Sequence, residues 1–345
     1  LKLVPLVETT RGTDVAHATV ENVHYGAVAV VDLHGEVLAH AGDPHYLTYT
    51  RSALKPLQAL PLVEDQGIAS LGLESADLAM FCASHSGEPR HVERVHSILE
   101  RIGMGEPDLQ CGCQVPVYYS MVAKKAPADG HWTQLHHNCS GKHSGMLAWC
   151  RLHGVAHHDY LDPAHALQQR IRARLSPVFG VKADQIALGI DGCSAPNYAL
   201  PLSSLAHFYA RLAQGAGDPE QGDAFGQIFA AMTDFPGLVS GEMRADDAYM
   251  TSAPGDWIAK AGADGVQVLA SRQRGIGIAV KIGDGAPRAI NTAMLGVLDQ
   301  LGMATEKSRA ATERWREPVI KNYKGLAVGS VRCATRLHLV KPEQL

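Results

Sequence analysis

The sequence predicts a mixed α/β (α+β) protein: one sheet assembled from both ends of the chain, and a helical lobe supplied by its middle. Three observations lead there. Residues 1–45 carry strand patterning, the period turns helical from Ser52 to about Phe235, and strand character returns from Trp257 onward. Strands at both ends with helices between them are packed most economically as a single sheet beside a helical layer. The expected organisation is therefore one unit spanning 1–345, with 1–50 and 236–345 forming the sheet lobe and 51–235 a mainly helical lobe. A cleft between lobes is a favoured place for a small-molecule site.

The elements follow from local pattern. Val4–Val7 alternates into Thr9-Thr10, and Gly26–Val31 is a continuous apolar run, as expected of a central strand buried on both faces. Asp32–Glu36 makes a turn and Val37–Ala39 returns. Pro56 lacks an N–H and is tolerated only near a helix start, which places that start close to Ser52, with Leu54, Leu57 and Leu60 continuing it. Val92, Val95, Ile98, Leu99 and Ile102 form a stripe ending at Gly103. Asp162-Pro163 reads as the cap and first position of a helix burying Leu167, Ile171, Leu175 and Val178. Further stripes run through Leu205–Leu212 and Phe225–Met232. Strands are expected at 257–260, 266–270 and 275–282, then a helix face over Ile290–Leu301. Residues 303–318 read as a helix or surface loop, and 326–331 as a final strand.

Composition narrows the function. With 46% hydrophobic residues in 345, the chain has ample material for a core. A net charge of −4 is too balanced to argue for nucleic acid or an anionic membrane surface. No apolar run approaches the ~20 residues of a membrane span, and no signal peptide is visible. Seven cysteines without framework spacing point to a reducing, cytoplasmic setting, with thiols buried or on metal. Of 18 histidines, eight fall between His131 and His165, either as a His-rich surface or as metal chemistry in that neighbourhood.

Several runs carry chemistry. In Arg51–Pro56, Ser52 and Lys55 lie three apart on one helical face, where a neutral amine can take the hydroxyl proton and create a nucleophile. Ala83–Glu88 offers Ser84, either in a capping turn or as a second hydroxyl in the cleft. Lys260 ends a strand, as an edge lysine or as a group facing that helix. In Asn138–His143, Cys139 is either a buried thiol or half of a metal site with Cys193 from Asp191–Pro196, Lys142 or His143 completing the set. The run is not a phosphate loop, because the first glycine is missing and His143 stands where Ser or Thr belongs. Arg244 and Arg51 are candidates for gripping a carboxylate, against the plainer reading of surface ion pairs.

Together these runs resemble the thermolabile, rhizobial-type L-asparaginases, the asparaginase II family. The likeness covers 20–28, Arg51–Pro56, Ala83–Glu88, Asn138–His143, 191–196, Lys260–Gly262 and 323–329, almost the whole chain. It implies a serine β-lactamase- and glutaminase-like fold with an antiparallel sheet. It also implies hydrolysis of L-asparagine to L-aspartate and ammonia by two Ser–Lys couples, Ser52 with Lys55 and Ser84 with Lys260. One zinc ion per chain is implied on Cys139, Lys142 and Cys193, with His143, Asp191 and Arg51 near the substrate or around the metal, and a homodimer. The chain departs from the family in carrying Gln114 where a histidine is common. Ala261 replaces the Thr of the penicillin-binding Lys-Thr-Gly motif, and no Ser-x-Asn occurs, which argues against β-lactams. Ser52 is the expected nucleophile, because it lies at a helix N-terminus, with Ser84 and Lys260 assisting proton transfer. Hydrolysis is expected to fall as pH drops, since only the neutral amine acts as base. Two alternatives stand beside this: another Ser-x-x-Lys hydrolase (glutaminase, esterase or β-lactamase relative) and a non-enzymatic zinc-binding sensor.

Overall fold

The structure is a computed structural model that describes residues 2–14, 17–122 and 124–344. Its contacts divide the chain into two compact units. One comprises Leu1–Thr48, Leu200–Arg211 and Ala259–Leu345, the other Tyr49–Ala199 and Leu212–Ile258.

The first unit is built on an antiparallel sheet in which the chain ends meet. Val4–Arg11 lies between Ala327–Cys333 and Thr19–Asp32, with Val7 opposite Cys333 and Thr9 opposite Val331. Beyond Thr19–Asp32 the order continues through Ile276–Ile282, Val266–Ser271 and Trp257–Gly262. Thr19–Asp32 exchanges partners along its length. Up to Gly26 it pairs with Val4–Arg11, and from Gly26 onward it lies between Ile276–Ile282 and Val37–Ala41. That sandwiching explains the unbroken apolar run, since Ala27 to Val31 are fully buried. The turn after it is closed by Asp32, whose carboxylate accepts from the N–H groups of His34 and Glu36, with Gly35 at φ 82°.

Helices cover the sheet. Pro287–Gln300 buries Ala289, Ala293, Met294, Val297 and Leu298. Residues 303–318 contain a true helix, Glu306–Arg316, whose N-cap Thr305 accepts from Ser308 N–H. Residues 202–211 of another helix come so close to the sheet that a Cβ on Gly277 would lie 1.9 Å from the Ala206 carbonyl. Only glycine fits there.

The second unit is helical. Its centre is Ser140–His153, buried from Ser140 through Cys150 and packed against Lys55–Glu64 and Ser75–Phe81. A Cβ on Gly141 would stand 2.3 Å from the Met80 carbonyl, so the small residues of this helix set its approach to Ser75–Phe81. Ala166–Phe179 and Gly222–Asp234 complete the packing around Lys55–Glu64.

Two local expectations are revised. The α-helix expected near Ser52 begins at Lys55, after a 3-10 turn over Arg51–Leu54. Asp162 does not cap a helix; its carboxylate closes a short turn onto Ala164 N–H, and the helix starts at Ala166, capped by His165 Nδ1. The mainly helical middle also carries a short strand pair, Ala187–Ile190 antiparallel with Pro196–Pro201. Residues 236–258 include the helices Pro236–Val239 and Ala245–Ser252 and fall in the second unit, while 200–211 fall in the first.

Candidate active site

Lys55 organises the second unit's polar interior. It is the first residue of its α-helix, is 1% exposed, and projects into a buried pocket of acceptors. Its Nζ donates to the Ala83 carbonyl, to Ser84 Oγ at 2.9 Å and to Cys139 Sγ at 3.2 Å. The structure therefore puts the Lys55 amine on Ser84. Among the described residues no hydrogen bond reaches the half-buried Ser52 hydroxyl.

Ser84 is held in an extended segment, Ala83–Glu88, between two helices. Its N–H donates to the Val239 carbonyl at 2.8 Å and the N–H of His85 to the Asn138 carbonyl at 3.1 Å. Both amides are thus committed. The His85 ring, fully buried, reaches Ser140 Oγ at 2.9 Å and stacks on His91 at 5.1 Å. Burial holds His85 well below the ordinary histidine range, helped by the charges of Lys55 and Arg244.

The backbone before Ser52 is strained. Arg51 sits at φ 50°, a left-handed conformation that costs about 1 kcal/mol or more for a residue with a Cβ. Two contacts hold it there. Arg51 N–H donates to Asn197 Oδ1 at 3.1 Å, and its Nε to Asp191 at 2.7 Å. Asn197 Oδ1 also accepts from Thr50 Oγ1 and Tyr198 N–H. Arg51 and Asp191 are therefore engaged with each other, tying the Ser52 turn to the 191–196 turn. In that second turn Ser194, next to Cys193, is also left-handed at φ 68°. Sequence reasoning missed Asn197; its position directly after the 191–196 run was the only signal.

Cys139, Lys142 and Cys193 come together in one buried cluster. Lys142 Nζ donates to Cys193 Sγ at 2.9 Å, both side chains buried. A hydrogen bond from Cys139 holds the Cys193 thiol far below its ordinary range, reinforced by Lys142 and His143 and opposed by burial. The same bond and burial push Cys139 up. Burial would lower the Lys142 amine, but the two sulfurs and Asp191 hold it above its usual value. His143 shares a 2.6 Å hydrogen bond with Tyr160 through Nδ1; its buried Nε2 makes no close hydrogen bond among the described residues, although the ring interacts with the Cys193 sulfur. Tyr160, a further residue that sequence reasoning missed, also accepts from Gln110 N–H.

Arg244, at the N-cap of Ala245–Ser252, is half-buried, and no side-chain hydrogen bond is present for it among the described residues. Its charge is felt at both His85 and His91. Lys260 belongs to the first unit, on the terminal strand Trp257–Gly262, where it is fully buried and its Nζ donates to the Ala261 carbonyl at 2.9 Å.

A lysine amine on a serine hydroxyl, beside a thiol pair held by a second lysine, is equipment for acyl transfer. The family model described as L-asparaginase II matches residues 7–333. The chain belongs to the L-asparaginase II family. Membership makes it an amidohydrolase acting on a small-molecule amide. No curated protein matches it. Among solved structures it is similar to a β-lactamase from Mycobacterium bovis, at 14% identity and a TM-score of 0.35, over 80% of this chain and 94% of that one. It is also similar to Mglu in its native form, at 15% identity and a TM-score of 0.36, over 82% of this chain and 66% of that one. No helix among the described residues is long and apolar enough to cross a membrane.

The zinc implied by the family resemblance can be tested against the residues present. Among the described residues no group of three or more His, Cys, Asp or Glu is placed to hold a metal. Cys139, Cys193 and Lys142 nevertheless supply two sulfurs and an amine in one buried cluster, and the buried Nε2 of His143 lies beside it. With Nδ1 bonded to Tyr160, that nitrogen has the outer support usual for an imidazole near a metal. The donor set fits a thiophilic ion.

Proposed function

We propose that this protein hydrolyses L-asparagine to L-aspartate and ammonia. The observation that carries the proposal is the Lys55 amine, hydrogen-bonded to Ser84 Oγ at 2.9 Å and set one turn after Ser52. In this reading Ser52 is the nucleophile. Its proton passes to Lys55, Oγ attacks the side-chain amide carbon, and the C–N bond breaks with the proton leaving on ammonia. Water then cleaves the aspartyl ester. Ser84, buried and with its own N–H committed, holds the Lys55 amine and relays protons. Oxyanion stabilisation falls to backbone N–H groups around the Ser52 turn.

Arg244, which makes no side-chain hydrogen bond among the described residues, is the proposed grip on the substrate carboxylate. Arg51 and Asp191, which tie the two turns together, keep their expected place near the substrate as a proposal. His143 keeps its expected place near the substrate as a proposal, and Lys260 its expected role of assisting proton transfer. Cys139, Lys142 and Cys193 are proposed to hold one zinc ion per chain, which would supply a fixed positive charge for an anionic or amine group of the substrate. Cytoplasmic location and a homodimer complete the proposal, supported by the free cysteines and by the family resemblance respectively.

One observation favours a second reading: Ser84 is the hydroxyl on the lysine, so it is the alternative nucleophile. Ammonia release from asparagine, assayed beside glutamine and a chromogenic ester and together with bound zinc, separates these readings. The Ser52→Ala variant is expected to lose about 10³-fold or more in kcat, and Ser84→Ala to retain a measurable rate. Full loss in Ser84→Ala with modest loss in Ser52→Ala transfers the nucleophile role. Zinc bound without turnover of any substrate leaves the sensor, and turnover of the ester alone leaves the esterase.

A further inference from the structure

The segment that carries Ser84 continues into a second cavity that the proposed chemistry does not use. It has a volume of about 460 Å³ and lies within the second unit, beside the N-terminus of Pro89–Arg101. Its walls are aromatic. Tyr118 and Tyr119 meet edge to face at 5.6 Å, Tyr119 and Trp132 lie 5.4 Å apart at 56°, and Trp132 meets His136 at 5.4 Å and 71°. Glu88 and Glu93 also line it, and no lysine or arginine is among its lining residues.

The rings are half-buried rather than sunk in the core, and they present faces at differing angles around one space. Ring faces carry negative potential and attract cations, most strongly where a carboxylate adds to the field. Glu88 is partly neutralised by Arg90 at 2.9 Å. Glu93 is exposed and makes no side-chain hydrogen bond or ion pair among the described residues, so its charge stands over the cavity. The backbone is shaped to hold the walls close. Gly87 is at φ 73°, and a Cβ there would lie 2.8 Å from the His136 carbonyl and 3.0 Å from Pro116. Tyr118 N–H donates to the Ser86 carbonyl at 2.8 Å, fixing the tyrosines to the Ser84 segment.

We propose that this cavity binds a small organic cation with a quaternary or alkylated ammonium head. The rings surround the head, and Glu93 supplies the counter-charge. A neutral apolar ligand would use the rings but not the carboxylate; an anion would be repelled by both.

The test uses the full-length protein, choline chloride, and its uncharged carbon isostere 3,3-dimethylbutan-1-ol at constant ionic strength. Binding is followed by calorimetry and tryptophan fluorescence. Choline is expected to saturate with an affinity about tenfold above the isostere, equivalent to about 1.4 kcal/mol of cation–π attraction. Trp132→Leu is expected to abolish the preference, and Glu93→Gln to weaken choline severalfold while leaving the isostere unchanged. Glu93 is at the surface, so that variant keeps the test usable if Trp132→Leu fails to fold. Equal affinity for the two probes, no saturable choline binding, or Glu93→Gln binding choline like the parent overturns the proposal. So does preference for an uncharged proline-rich peptide over choline. None of these outcomes depends on hydrolysis of asparagine.

Discussion

Single residues here are read best through the groups they have already engaged. His91 is an example: its Nδ1 accepts from Glu88 N–H at 3.2 Å, and its Nε2 donates to the Gly237 carbonyl at 2.9 Å. Both nitrogens are used, and in the neutral form. Burial pulls the imidazole down to about 4 from an ordinary 6.5, against the Gly237 bond, with Arg90 and Arg244 adding to the fall. Because the folded value is depressed, the unfolded chain takes up the proton first as pH drops. Stability from this group is complete above about pH 6.5 and is lost as pH falls toward 4, a swing on the order of 3 kcal/mol. Urea melts across that window check it. Stability should fall steadily in the parent, and His91→Asn should be less stable at neutral pH but show a shallower acid limb. An equal slope in both removes His91 as the cause. At this scale the sequence marked Ser52, Lys55, Ser84, Cys139, Lys142 and Cys193 as residue types able to do the chemistry. It did not show that Lys55 reaches Ser84, because that depends on a contact between residues 29 apart that no local periodicity encodes.

Elements were legible where their own pattern was strong. The apolar run Gly26–Val31 and the stripe ending at Gly103 became a buried strand and the helix Pro89–Arg101, since burial acted on the same face the pattern displayed. Starts were less legible. Near Ser52 the proline correctly signalled a beginning, but the turn ahead of it is 3-10, held by Asn197 and Asp191 from far along the chain. The pair Ala187–Ile190 and Pro196–Pro201 escaped notice because strands of four and six residues, one of them mostly exposed, leave almost no alternation. The helix Ser140–His153 allows a direct test. Gly141 sits against the Met80 carbonyl with no room for a methyl group, so Gly141→Ala must push two helices apart. A loss of about 1–3 kcal/mol is expected, read as a lower Tm and denaturant midpoint. An unchanged midpoint would mean that the helices separate freely there.

For the chain as a whole, the decisive fact is that its beginning and end share a sheet. Val4–Arg11 pairs on one side with Ala327–Cys333, which arrives more than 300 residues later. A chain shortened to end at residue 322 leaves that edge of Val4–Arg11 open, with Leu6 and Val7 beside it. Such a protein is expected to aggregate or to lose its cooperative melt, measured by soluble yield and calorimetry, whereas removal of 341–345 alone should change little. The sequence by itself determined the order of strand, helix and strand, the core positions within each, and the residue types from which a Ser–Lys amidohydrolase can be built. It could do so because side-chain periodicity and proline or glycine chemistry act over a few residues. Tertiary structure alone decided which hydroxyl holds Lys55, how Arg51 is kept in its strained turn, and that Cys139, Lys142 and Cys193 share one buried cluster. Those are packing outcomes between segments distant in the chain, where burial removes water and leaves each polar group only the partners that folding brings to it.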